Sequence, residues 1–186
     1  SVCGKTTTST LYAPKTVTLS AASYTYDGKA KKPSVTVKDS KGNKIGSQYY
    51  TVSYPSGRKN VGKYTVKVTF KGNYIGSKSA TFVIKPKGTS VSKVTAAKKG
   101  FKVTWKKQAT QTTGYEVQYS TASNFKKGNK TVTVSKNKTT SKSVSKLSAK
   151  KKYYVRVRTY KTVKVNGKNV KLYSGWSKAK SVTTKK

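Results

Sequence analysis

Residues 152–173 read KYYVRVRTYKTVKVNGKNVKLY, and their periodicity decides the fold. Tyr153, Val155 and Val157 alternate with Tyr154, Arg156, Arg158 and Tyr160. A repeat of two puts these groups on opposite faces of one β-strand. The run reaches Asn166-Gly167, a dipeptide that favours a two-residue type I′ hairpin because both central residues take positive φ. Val163 and Val165 lie on the arm entering this turn, and Val170, Leu172 and Tyr173 on the arm leaving it.

The same period extends through the chain. After a polar lead-in at 1–11, apolar residues alternate at Val17 and Leu19, at Val35 and Val37, and at Tyr50, Val52 and Tyr54. Tyr64, Val66, Val68 and Phe70 continue the pattern, followed by Ala80, Phe82 and Ile84. Turn signals separate these runs at Tyr26-Asp27-Gly28, Lys41-Gly42-Asn43, Pro55-Ser56-Gly57 and Lys71-Gly72-Asn73. Lys85-Pro86-Lys87-Gly88 breaks the pattern and reads as a linker. Beyond it, Phe101, Val103 and Trp105 alternate, as do Tyr115, Val117 and Tyr119; Val132 and Val134, then Val144 and Leu147, precede the opening stretch. A last strand is expected from Trp176 to Thr183. Many short strands at this spacing, with no helical periodicity, predict an all-β chain of two tandem β-sandwiches, at 12–87 and 88–186.

Composition narrows the function. There is no His, the side chain best suited to proton transfer near neutral pH. The acids are Asp27, Asp39 and Glu116, with no two close enough in sequence to suggest a carboxylate pair, and the single Cys is Cys3. Such a chain has almost no ligands for a metal, so no cofactor, no metal site and no catalytic residue is expected. The net charge of +39 comes from 42 basic residues, of which Arg58, Arg156 and Arg158 alone are Arg. Up to Lys87 there are 16 basic residues against 2 acids, and after it 26 against 1. A field made of Lys attracts polyanions generally and keeps a chain soluble, whereas sequence-specific nucleic-acid readers lean on Arg. No specific nucleic-acid partner is expected. Neither a membrane span nor a signal peptide is evident, and the sequence reads as a monomeric piece of a longer protein.

Several residues carry family resemblances. Trp105, the GYEVQYS run at 114–120, Leu147 six residues before Tyr153, YYVRVRTY and the closing SGWSKAKSVTT resemble a fibronectin type III domain over 88–184. Tyr153 fits that fold's tyrosine corner. In the first unit, YTYDGKAKKP at 24–33, YYTVSY at 49–54, NVGKY at 60–64, Gly72-Asn73-Tyr74 and TFVI at 81–84 resemble bacterial immunoglobulin-like repeats. The tandem is similar to Lys-rich modules of Gram-positive, gut Firmicute surface proteins, some of which bind host immunoglobulins. The resemblance implies an extracellular place at the bacterial surface or cell wall, as stalk, spacer or adhesin.

On the fibronectin pattern, Tyr153, Val155 and Val157 face inward, and Tyr154, Arg156, Arg158 and Tyr160 line the solvent face. Tyr and Arg are the types enriched at binding hot spots. The opposing reading is structural: Glu116, outward on a neighbouring strand, pairs with an Arg that stacks on Tyr. The hairpin at 163–173 would extend past the sandwich. Its Val163, Val165, Val170 and Leu172, around Asn166-Gly167 and next to Tyr173, either fold down into the core or offer a face, or a strand edge, to a partner. The leading expectation is a non-enzymatic cell-surface binding module, an adhesin engaging a host protein such as an immunoglobulin. The alternative is a cationic stalk binding anionic glycans or teichoic acid.

Overall fold

A computed structural model describes residues 11–186; most of the polar lead-in and Cys3 lie outside the described residues. The described residues form strands with a single 3₁₀ turn, Ser47–Tyr49. In order, the strands are β1 Pro14–Leu19, β2 Ser23–Thr25, β3 Val35–Asp39, β4 Tyr50–Ser53, β5 Gly62–Phe70, β6 Ser77–Lys85 and β7 Val91–Ala97. They continue with β8 Gly100–Trp105, β9 Gly114–Ser120, β10 Lys130–Val134, β11 Ser141–Val144, β12 Lys152–Val165, β13 Lys168–Tyr173 and β14 Lys180–Thr183. By proximity the backbone divides into two units; Ser23–Ala30 and Gly57–Lys63 belong with Val83–Lys186, and the remaining residues up to Phe82 form the other unit.

In the N-terminal half, β1 pairs with β3, and a second sheet runs β2-β6-β5-β4. Val37 of β3 meets Tyr50, Val68 and Phe70 of the second sheet, with Ile45 between and Val17 and Val35 against them. The alternating apolar residues thus bury one face of each sheet, the driving term for a sandwich. The four turn glycines Gly28, Gly42, Gly57 and Gly72 all sit at positive φ. Asp39, at the end of β3, folds its own turn: Oδ1 accepts from the Lys41 and Asn43 amides at 2.8 and 2.9 Å, and Oδ2 from Asn43 Nδ2 at 3.2 Å.

In the C-terminal half, β11-β8-β7 faces the sheet β10-β9-β12-β13, to which β14 adds on β12. Phe101, Val103 and Trp105 from one sheet pack on Tyr115, Val117, Tyr119, Tyr153, Val155 and Val157 from the other. Tyr153 is buried as expected, but the hydroxyl that ties down loop backbone is that of Tyr115. It accepts from the Gln108 amide at 2.8 Å and donates to the Asn137 carbonyl at 2.9 Å.

The expected strand from Trp176 to Thr183 is shorter than the sequence suggests, since regular pairing begins only at Lys180. Before it, serine hydroxyls take the place of backbone rungs. The Thr159 amide donates to Ser174 Oγ and the Val157 amide to Ser177 Oγ, both at 3.0 Å. The Ser174 and Ser177 amides return bonds to the Thr159 and Val157 carbonyls at 3.1 and 2.8 Å. This serine bracket holds Gly175-Trp176 against the edge of β12 where no strand lies.

Candidate functional site: the β12 face and its hairpin

The outward row of β12 is engaged with neighbouring groups along its length. Arg156 stands opposite Gln118 of β9, and Arg158 opposite Glu116. Arg156 Nε and Nη2 both donate to Gln118 Oε1, at 2.8 and 2.5 Å. Arg158 Nε and Nη2 both donate to Glu116 Oε2, at 2.9 and 2.7 Å. The guanidinium carbon of Arg156 lies 3.9 Å from the centre of the Phe125 ring and 4.8 Å from that of Trp176. That of Arg158 lies 4.3 Å from Trp176 and 3.8 Å from Tyr173. The result is a ladder running Phe125, Arg156, Trp176, Arg158, Tyr173, in which each cation lies by two rings. Each such contact contributes about 0.5–1 kcal/mol, more where water is excluded.

Trp176, placed by the serine bracket, separates two like charges, while Glu116 neutralises one of them. Burial, and then the Arg158 charge, pull the Arg156 guanidinium below its ordinary pKa. Burial raises the Tyr173 and Tyr160 phenols, and the Glu116 carboxylate adds to the effect in both. Guanidinium faces and edges are occupied by the ladder itself, so this row is arranged first as a cross-strand clamp.

Tyr160 corrects the expectation of a solvent-facing residue. It has the outward parity yet is only 2 % exposed. The reason is its register partner, Gly114. A Cβ on Gly114 would overlap the Val134 carbonyl oxygen and come within 2.9 Å of the Tyr160 hydroxyl. With no side chain opposite, the Tyr160 ring fills the space, flanked by Tyr173 at 6.1 Å between ring centres and by the Lys171 ammonium at 4.6 Å. Tyr154, at the other end of the row, is half-buried, with the Lys152 ammonium 5.5 Å from its ring.

The hairpin continues beyond the last rung that β12 shares with β9, Tyr160 to Gly114. From there β12 and β13 pair with each other, Lys161 to Leu172, Val163 to Val170 and Val165 to Lys168. Directly paired residues share a face, so Val163, Val165, Val170 and Leu172 form one apolar patch with Lys161 and Lys168 at its corners. Val170 is 37 % exposed, and Val163, Val165 and Leu172 are half-buried. Asn166 and Gly167, at φ 50 and 77, make the tip with the left-handed pair that a type I′ turn demands.

Phe125, Gln118, Trp176, Ser174 and Ser177 belong to this region but were not among the candidates read from the sequence. The SGWS stretch was the available signal: two serines bracketing an aromatic beside a strand with two Arg. No group of His, Cys, Asp and Glu among the described residues is arranged to hold a metal ion.

Residues 84–172 match the model of the fibronectin type III domain and residues 15–89 that of the MBG domain. The chain carries a fibronectin type III domain preceded by an MBG domain, which is Ig-like. No curated protein matches it. Among solved structures it is similar to the FN1-FN3 domains of chicken CNTN1, at 19 % identity and a TM-score of 0.45, over 94 % of this chain and 67 % of that one. It is also similar to a two-domain fibronectin type III segment of chicken tenascin, at 19 % identity and a TM-score of 0.43, over 93 % and 99 %. Domains of these kinds are usually extracellular, typically mediate protein–protein interactions and typically act as non-catalytic binding or spacer modules. No helix among the described residues is long and apolar enough to cross a membrane.

Proposed function

We propose that this chain is an adhesin-type module of a bacterial cell surface that engages a host protein through the β12–β13 hairpin of its fibronectin type III domain, with immunoglobulin as the first partner to test. The observation that carries this reading is the hairpin face. Four apolar side chains are gathered on one side of a two-stranded element that has left the sheet behind, and a stiff, partly apolar projection suits partner recognition. The Arg156/Arg158 ladder supports it indirectly by fixing Tyr173, the last residue of the hairpin, against β12. Binding then resides in the hairpin, with Arg156, Arg158 and Tyr160 bracing it from below and Tyr154 at the far end of the row.

A second reading rests on a different observation. The +39 charge would hold the chain on anionic wall polymer, such as teichoic acid, or on acidic glycans, as a cationic stalk. Ionic strength separates the two. Retention by scattered Lys collapses as salt approaches about 0.15 M, where the screening length is about 8 Å, whereas a packed apolar contact persists. Passing immunoglobulin, other serum proteins and wall polymer over the immobilised chain at low and moderate salt is the test. Loss of all protein retention at moderate salt overturns the leading reading.

A further inference from the structure

β13 ends its sheet, whose order is β10-β9-β12-β13. The direction of its free peptide groups follows from β12. The Tyr160 carbonyl accepts from the Thr113 amide on one side, and the Thr159 carbonyl accepts from the Ser174 amide on the other. Odd-numbered residues of β12 therefore bond towards β13, and Lys168, Val170 and Leu172 are their hydrogen-bonded partners. The amides and carbonyls of Asn169 and Lys171 then point away from β12. Asn169, Val170 and Lys171 are exposed, and no strand among the described residues pairs with this edge.

The side chains along the edge are ordered. One face presents Lys168, Val170 and Leu172, and the other presents Asn169 and Lys171. Two lysines in five residues oppose pairing with a second copy of the same edge, since like charges would then be brought close together. The hairpin from Lys161 to Tyr173 holds four Lys and no acid. An incoming strand with carboxylates opposite Lys168 and Lys171, and apolar side chains opposite Val170 and Leu172, meets complementary groups at each of these positions.

We propose that β13 is a strand-addition site for an extended acidic segment of a partner protein, bound antiparallel with its residues alternating as apolar, acidic, apolar, any, acidic. The inference rests on the reading of the hairpin as the partner-facing element, and it specifies how the hairpin would bind. Main-chain bonds to Asn169 and Lys171 supply a generic affinity, while Lys168, Val170, Lys171 and Leu172 choose the sequence.

The probe is a peptide whose core reads Val-Glu-Val-Thr-Glu, titrated against the full chain at moderate salt, with amide hydrogen exchange read residue by residue. The expected result is saturable binding that protects the Asn169 and Lys171 amides. N-methylation of the peptide at the Thr and the first Glu, which removes its own donors to the edge, is expected to weaken binding at least about tenfold. Asn169→Pro removes one outward donor without touching a β12 rung, and is expected to do the same. A shuffled peptide of equal charge that binds equally well, or protection confined to other strands, overturns the proposal. Loss of host-protein capture on replacing Val163, Val170 and Leu172 by Ser, together with unchanged capture by Asn169→Pro, overturns strand addition alone. Unchanged capture by the Ser variant overturns the hairpin reading itself.

Discussion

Arg158 and Glu116 face each other across β12 and β9, joined by two bonds from the guanidinium to one carboxylate oxygen, the shorter at 2.7 Å. Both are largely shielded, with side chains 25 % and 9 % exposed. The same guanidinium lies by the rings of Tyr173 and Trp176. This joins the middle of the sheet to the base of the hairpin: the charge that satisfies Glu116 also positions Tyr173. A pair of this kind adds little net stability over a well-packed apolar pair, but losing one partner strands the other.

Glu116→Gln should therefore destabilise the C-terminal sandwich by about 1–3 kcal/mol, because Arg158 keeps its shielded charge and loses its counter-charge. Urea unfolding of the variant, followed by the fluorescence of its two Trp residues, measures this.

Trp176→Ala should cost about 2–3 kcal/mol. It removes two cation–π contacts of roughly 0.5–1 kcal/mol each, exposes apolar surface and leaves Arg156 and Arg158 without a ring between them. Trp176→Phe keeps a ring in place and should recover much of the loss in the same unfolding measurement.

Gly114→Ala should be more damaging than its size suggests, by about 3 kcal/mol or more, because the new methyl overlaps the Val134 carbonyl and the Tyr160 ring. Gly167→Ala, with open space around it but φ of 77, should cost only about 1 kcal/mol. Faster amide exchange at Val163 and Val170, a hydrogen-bonded pair of the hairpin, with unchanged exchange in β9, would locate the second effect in the hairpin.

Asp39 gives the N-terminal half an acid-sensitive turn. Burial alone raises its carboxyl pKa, but hydrogen bonds from Asn43, Lys41 and Gly42 outweigh burial and hold it below the ordinary 3.8. A depressed folded-state value means the contribution is complete above the unfolded pKa and fades as pH falls through the folded one. Acid titration should accordingly begin to weaken this half below about pH 4, and Asp39→Asn should flatten that dependence while lowering stability at neutral pH.

Alternation made most strands legible, because one buried and one solvated face impose a period of two on Tyr153, Val155 and Val157 as on Val66, Val68 and Phe70. Where the period fails, the structure gives the cause. In β7 the register shifts between Val91 and Lys93, so Val91 and Val94, three apart, both reach the core and hide the strand. β2 is three residues long and is fixed by parallel pairing with β6, a long-range fact absent from its own sequence. Parity placed Tyr160 on the correct face, but its burial depends on Gly114 across the sheet. A pairing of Glu116 with an Arg was legible because the chain has one Glu, while the choice of Arg158 over Arg156 follows from the register of β9 and β12. Phe125 was not, since it reaches Arg156 from a loop residue at φ 55.

On the proposed reading the hairpin, and not the Lys field, selects a protein partner. Capture of purified immunoglobulin by the full chain at about 0.15 M salt, compared with a variant carrying Ser at Val163, Val170 and Leu172, tests it most directly. Both proteins carry the same +39 charge, so electrostatics is held constant. The expected result is capture by the native chain and its loss in the variant with the sandwich still folded. Equal capture by both, or capture by the native chain at low salt alone, would contradict it.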